Sequence, residues 1–288
     1  MLLEPELRSR LDRLALATRG RIRGAWGGRH RSRRLGESLD FADYREYFPG
    51  DDYRRIDYTL WARLGVVLIR LFEAEDELPL RVLVDTSQSM DFGDKFPTAQ
   101  RLSAMVAYLA LASGERVQVA SVPGEDSPRI QGPWVRHTGS WPVVESFLES
   151  LQPGGGPDLR AAANHVAAAT GLRGASVLVS DLLTEGWEQA IDLLGVSGSG
   201  VVLQVISPLE LDPDLTGDLT LRDVETRQEV PVSVSDGAVD RYRERVRGFI
   251  DEVANRSRRS GLDHVLAVAQ PGVLDQTLAA LVSSGVAR

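Results

Sequence analysis

The run Asp85-Thr86-Ser87-Gln88-Ser89 gathers one carboxylate and three hydroxyls into five residues. Such oxygen donors suit a hard divalent cation, Mg²⁺ or Mn²⁺, with water filling the remaining positions. Two further carboxylates sit where they could join them. Asp158 follows Gly154-Gly155-Gly156-Pro157 at the start of an expected helix, and Asp181 follows Ser176-Val177-Leu178-Val179-Ser180. The same letters also suit a plain helix N-cap, a role that Asp and Ser both favour. Position separates the two readings. Asp85 and Asp181 each come directly after an apolar, β-rich run, and in open α/β sheets ligands bind beyond the carboxyl ends of such strands.

Those runs are part of a longer alternation. Leu80–Val84 has apolar residues on both faces, as in a buried parallel strand, and Ser176–Ser180 reads as another buried strand; Val117–Val122, Val201–Ile206 and His264–Val268 read as further strands. Helices are expected between them at Thr98–Ala112, Ser140–Ser150, Asp158–Thr170, Glu185–Leu194 and Val239–Arg259, with a last one at Leu274–Val282. Trp134 and Val135 are expected in an edge strand, and Leu219–Leu221 with Val230–Val234 in a small hairpin. The fold class is therefore α/β: a Rossmann-like, mostly parallel sheet with helices on both faces. Upstream, Leu7, Leu11, Leu14 and Leu16 give a short N-terminal amphipathic helix. A stretch rich in Arg and Gly, Arg19–Gly36, is expected to be poorly ordered or draped over a partner.

Composition narrows the function classes. The chain has 288 residues and no cysteine, which excludes disulfides, thiolate catalysis and cysteine metal sites, and fits a reducing compartment. Residues 1–36 carry +7 and the remainder −15, so the acidic body argues against general nucleic-acid binding. The 33 basic residues are 32 Arg and one Lys, Lys95, which reads as codon bias rather than chemistry. No apolar run approaches the roughly 20 residues of a transmembrane helix, and the acidic start Met1-Leu2-Leu3-Glu4-Pro5-Glu6 does not resemble a signal peptide. A cytoplasmic location is expected.

Asp85-x-Ser87-x-Ser89 resembles the metal-ion-dependent adhesion site of von Willebrand factor A domains, with Asp181 at that family's distal aspartate. The resemblance implies that Ser87 and Ser89 coordinate the metal directly, and Asp85 and Asp181 directly or through water. The family's threonine falls at Pro157, which offers no side-chain oxygen. Either Asp158 compensates, or metal binding is weak or lost. A second motif lies upstream: Pro49-Gly50-Asp51-Asp52-Tyr53-Arg54-Arg55-Ile56-Asp57-Tyr58, then Trp61-Ala62-Arg63 and Arg70-Leu71-Phe72-Glu73. It is similar to the hallmark of the bacterial family called domain of unknown function 58, which joins this segment to a von Willebrand-like domain. That resemblance implies a MoxR-type AAA+ ATPase as partner, with an unknown client, in chaperone-like assembly or metal insertion. The chain then divides into a basic N-terminal helix and flexible segment (1–36), the β-rich motif segment (37–78) and the von Willebrand-like domain (79–288).

Asp51, Asp52, Arg54 and Arg55 are either a salt-bridged turn or a partner surface. Trp61 and Phe72 are expected in a core. His30, His137, His165 and His264 show no metal-ligand spacing, and the Gly154–Gly156 run lacks the Lys-Ser/Thr of a P-loop. Two functions remain. One is a non-catalytic, metal-dependent interaction module, in which a partner carboxylate completes the metal's shell. The other is a Mg²⁺-dependent hydrolase or phosphotransferase, which needs a base or nucleophile beside the metal. The three loops hold only oxygen ligands and no nearby Lys or His, which favours binding.

Overall fold

A computed structural model describes residues 1–18, 41–72, 79–122, 131–154, 159, 174–215, 217–222, 229–234 and 236–284. The chain forms two compact units, one from residues 1–28 and 78–288 and a smaller one from residues 29–77.

The larger unit is built on five parallel strands: β3 (Leu80–Asp85), β4 (Val117–Val122), β5 (Gly174–Ser180), β6 (Gly198–Ile206) and β9 (Asp263–Val268), in the order β4-β3-β5-β6-β9. Their two apolar faces feed two cores, because successive side chains point to opposite sides of a strand. Val82, Val84, Val177, Val179, Leu203 and Val205 enter one core. Leu83, Leu178 and Val202 enter the other.

Helix α3 (Lys95–Ala112) lies against the first face and is buried along nearly its whole length. A helix apolar all round must be covered on its outer side too. Helices α4 (Trp141–Ser150), α8 (Val273–Ser284) and α1 (Pro5–Thr18) do this. Leu3, Leu11 and Ala15 are fully buried there, and the Tyr108 hydroxyl donates to Asp12 at 3.1 Å. The N-terminal helix thus shares the sheet's core. On the opposite face lie α5 (Trp187–Ser197) and α7 (Asp236–Arg259), joined by the edge-on rings of Trp187 and Phe249 and by an Arg256–Asp192 ion pair. A four-residue helix α6 (Pro208–Leu211) and an antiparallel hairpin, β7 (Gly217–Arg222) with β8 (Glu229–Val234), follow β6.

Several local expectations shift, among them the start of α7 at Asp236 rather than Val239 and the span of α5 over Trp187–Ser197 rather than Glu185–Leu194. Helix α3 begins at Lys95 rather than Thr98, because Pro97 falls in its first turn, where no amide hydrogen is needed. Val135 and Gln131 make isolated antiparallel bridges to β4 instead of an edge strand. The Arg19–Gly36 stretch and the helix expected over Asp158–Thr170 lie outside the described residues, apart from helical Leu159.

In the smaller unit β1 (Phe41–Glu46) pairs antiparallel with β2 (Leu68–Phe72). Between them come a 3₁₀ turn, Tyr53–Arg55, and helix α2 (Tyr58–Leu64). Asp57 caps α2, accepting from Thr59 N at 3.0 Å and Leu60 N at 3.1 Å. Helix α2 leaves Tyr58, Trp61 and Leu64 exposed. Trp61 is 46% exposed, which corrects its expected place in a core: it lies on a face of the helix that buries nothing.

Candidate metal centre

Asp85 ends β3 and is fully buried. Its Oδ1 accepts from Ser87 N at 2.8 Å, and its Oδ2 accepts from Ser180 Oγ, at the end of β5, at 2.5 Å. The register of β3 on β5, Val84 beside Val179, aligns these two strand ends. Thr86 ties in the other neighbour, donating from Oγ1 to Val122 O at 3.0 Å. Its own carbonyl accepts from Gly154 N at 2.7 Å, which brings Gly154 to the same end of the sheet.

Ser87 stands at the N-cap of the 3₁₀ turn Gln88–Asp91, yet its side chain makes no capping bond. Its hydroxyl is hydrogen-bonded to that of Ser89 at 2.9 Å, and Ser87 is fully buried. Adjacent oxygens in an octahedral Mg²⁺ shell, each about 2.0–2.1 Å from the ion, stand about 3 Å apart. The two hydroxyls have that spacing, beside the carboxylate of Asp85. Burial and the nearby charge of Asp181 push the Asp85 carboxyl up to about 6, against hydrogen bonds from Ser180 and Ser87 that lower it. A group so placed gains from a nearby cation.

Asp181 differs. Its Oδ1 accepts from Leu183 N at 3.0 Å, a turn in which buried Leu182 takes a left-handed φ of 61°. Its Oδ2 accepts from Lys95 Nζ at 2.8 Å, and both side chains are only 1% exposed. Lys95 Nζ also donates to Glu210 Oε1 at 2.5 Å. Glu210 in turn accepts from Ser207 N at 2.8 Å, within a capping box that opens α6. The expectation that no Lys stands near these loops is therefore corrected. Lys95 lies far from Asp181 in sequence but starts a helix whose first turn abuts the ends of β5 and β6.

The structure thus brings Asp85, Ser87 and Ser89 together, with Asp181 on the adjoining strand end. The three residues fit a hard divalent ion by donor type, and the two hydroxyls by spacing. Both oxygens of each aspartate accept hydrogen bonds, but those of Asp85 come from neutral donors, whereas one of those to Asp181 comes from the ammonium of Lys95. Asp158 and Pro157 lie outside the described residues. Among the described residues no three carboxylates or imidazoles form a group able to hold a metal. His264 pairs with Gln204 at 3.0 Å and His137 is exposed, while His30 and His165 are outside the described residues.

In the smaller unit the proposed cluster is divided. Asp51 accepts from Arg45 Nη2 at 2.9 Å and from Phe48 N at 2.8 Å, and Asp52 caps the 3₁₀ turn through Arg54 N at 3.0 Å. Both aspartates thus hold the turn. Arg54 points outward over the exposed Tyr53 ring. The firmest pairing falls on Asp57, which the sequence reading named in the motif but not among the candidate site residues. Asp57 Oδ2 accepts from Arg70 Nε at 2.9 Å and from the Tyr44 hydroxyl at 3.1 Å. The Arg70 guanidinium and the capping amide of Leu60 hold the Asp57 carboxyl down to about 2.

The family described as protein of unknown function DUF58 matches residues 43–258. The chain belongs to that family. It is 26% identical over 229 residues to the uncharacterized protein Rv1480 of Mycobacterium tuberculosis and to the uncharacterized protein Mb1516 of Mycobacterium bovis, covering 77% of this chain and 72% of each relative. Among solved structures it is similar to the conserved hypothetical protein BatB from Bacteroides thetaiotaomicron. There the TM-score is 0.47 and the identity 18%, over 73% of this chain and all of that one. It is also similar to a von Willebrand factor type A protein from Catenulispora acidiphila, with a TM-score of 0.42 and 14% identity over 76% and 45% of the two chains. Among the described residues no helix is long and apolar enough to cross a membrane.

Proposed function

We propose that this DUF58 protein is a non-catalytic interaction module of the cytoplasm. Asp85, Ser87 and Ser89 hold Mg²⁺ or Mn²⁺ at the carboxyl end of the sheet, and a carboxylate of a partner protein completes the shell. The observation that carries the reading is the pair of serine hydroxyls 2.9 Å apart beside Asp85, with Ser87 uncommitted to capping. The bound ion supplies Lewis-acid affinity for a carboxylate. The chain's own residues set its position, through the Asp85–Ser180 and Thr86–Val122 bonds that lock the loop to two neighbouring strands.

Lys95 also bears on the alternative, a Mg²⁺-dependent hydrolase or phosphotransferase. Its ammonium is enclosed and shared by two carboxylates, so it is not available as a base or nucleophile. This supports binding over catalysis. The partner proposed from the family resemblance is a MoxR-type AAA+ ATPase, acting with a client protein. A second contact surface is proposed on the smaller unit, where Arg54 and the exposed rings of Tyr53, Tyr58 and Trp61 offer the aromatic and arginine side chains that protein interfaces favour.

Co-purification with such an ATPase in Mg²⁺ and ATP tests the reading. The wild type is expected to bind, Asp85→Ala to lose binding, and a variant with Tyr53 and Trp61 replaced by Ala to bind more weakly. Failure of the wild type to bind removes the partner. Binding that Asp85→Ala retains in full removes the metal face. Phosphatase or esterase turnover that requires Asp85 would favour the enzyme.

A further inference from the structure

Lys95 is the one lysine among 33 basic residues, and its side chain is 1% exposed. A compact ammonium on a four-carbon stem can enter a space that the planar fork of Arg cannot. The path of the chain is committed to putting it there. Gly93 and Asp94 both take left-handed φ, 57° and 60°, directly before α3. A Cβ on Gly93 would collide with the Ser207 side chain at the end of β6, so only glycine allows that approach. Lys95 Nζ then lies between Asp181, after β5, and Glu210, on the turn after β6. Ser180, next to Asp181, donates to Asp85, so the ammonium and the candidate metal ligands share one continuous polar cluster.

We propose that Lys95 is a built-in cation of this centre. Its ammonium holds Asp181 and Glu210 in the absence of metal, and a divalent ion on Asp85, Ser87 and Ser89 gains Asp181 only by displacing it. The inference rests on the reading that those three residues hold a divalent ion. Lys95 is thus a positioning residue that sets metal affinity low and keeps the strand ends together without metal. Removing the ammonium while keeping the length of the side chain frees the outer oxygen of Asp181 for the ion. It also leaves the buried Asp181 and the partly buried Glu210 without their shared cation, a loss that a bound divalent ion offsets.

The test is Mn²⁺ binding by calorimetry, with thermal melting in chelator and in Mg²⁺, for the wild type, Lys95→Met and Lys95→Met/Asp181→Asn. Lys95→Met is expected to bind Mn²⁺ at least tenfold more tightly than the wild type. Its melting temperature should fall in chelator and recover in Mg²⁺. The double variant should lose the gain in affinity. If Lys95→Met does not fold in chelator, refolding yield with and without Mg²⁺ reads the same dependence. Equal Mn²⁺ affinity in the wild type and Lys95→Met, or a stability loss that Mg²⁺ does not restore, overturns the inference and leaves the Asp85 site standing. Binding by neither protein overturns both.

Discussion

Asp57 and Asp181 each meet a cation, one in the small unit and one at the sheet's carboxyl end, and their surroundings make the pairs unlike. Asp57 caps a helix and takes Arg70, whose guanidinium is half exposed. Water shares that charge, and the carboxyl stays ionised down to about 2. Asp181 takes a lysine that is as buried as itself, with another enclosed carboxylate, Asp85, on the adjoining strand. There the ion pair cannot be replaced by solvent, and burial, with the charge of Asp181 added to it, pushes the neighbouring Asp85 up rather than down. The same side chain is thus a helix cap in one place and half of a buried ion pair in the other. Solvent access decides which.

The strongest way to break this comparison is to delete each cation. Lys95→Met in chelator is expected to cost about 3–5 kcal/mol of unfolding free energy, because it strands a buried charge. Arg70→Met should cost less, since the buried Asp57 carboxylate keeps its bonds from Thr59 N, Leu60 N and the Tyr44 hydroxyl and the half-exposed guanidinium leaves a space open to water. Comparable urea midpoints for the two variants would erase the distinction. A smaller effect sharpens it by sign. The raised Asp85 carboxyl destabilises the folded state above about pH 6, and that penalty shrinks as pH falls towards 4. Asp85→Asn is therefore expected to gain roughly 1–2 kcal/mol at about pH 8 without metal, and less at about pH 5. The lowered Asp57 carboxyl contributes stability above about pH 4 that is lost as pH falls through about 2, so Asp57→Asn should lose stability at neutral pH. Urea titrations at the two pH values check both signs, and a loss in both variants would contradict the assignment for Asp85. The smallest effect is expected on the exposed face of α2. Trp61→Ala should leave stability within about 0.5 kcal/mol, as an outward side chain does. A larger loss would return Trp61 to a core.

Much of the larger unit was legible in the sequence. Runs such as Leu80–Val84 and Val201–Ile206 put apolar residues on both faces, with only Arg81 and Gln204 breaking them, and a sheet covered on both faces satisfies that pattern. Asp85 and Asp181 could be placed at strand ends for the same reason. The smaller unit was less legible. Phe41–Glu46 mixes charge and aromatics without clean alternation, so its pairing with Leu68–Phe72 had no periodic signal. Asp57 looked like one more charge in a charged turn, although its place directly before a helix is a capping signal. For Lys95 a signal did exist: a chain that otherwise uses arginine spent its one lysine at the start of an apolar helix.

Local residue types and their spacing determined the strands, the helices between them and the Asp-x-Ser-x-Ser run, because periodicity and turn chemistry act over a few neighbours. The tertiary structure alone decided which charges meet. Lys95 lies 86 residues from Asp181 and 115 from Glu210, and nothing in either local sequence names the other. Their pairing follows from the β3-β5-β6 strand order, which brings three loops to one end of the sheet, and from burial, which leaves an ammonium no partner but a carboxylate.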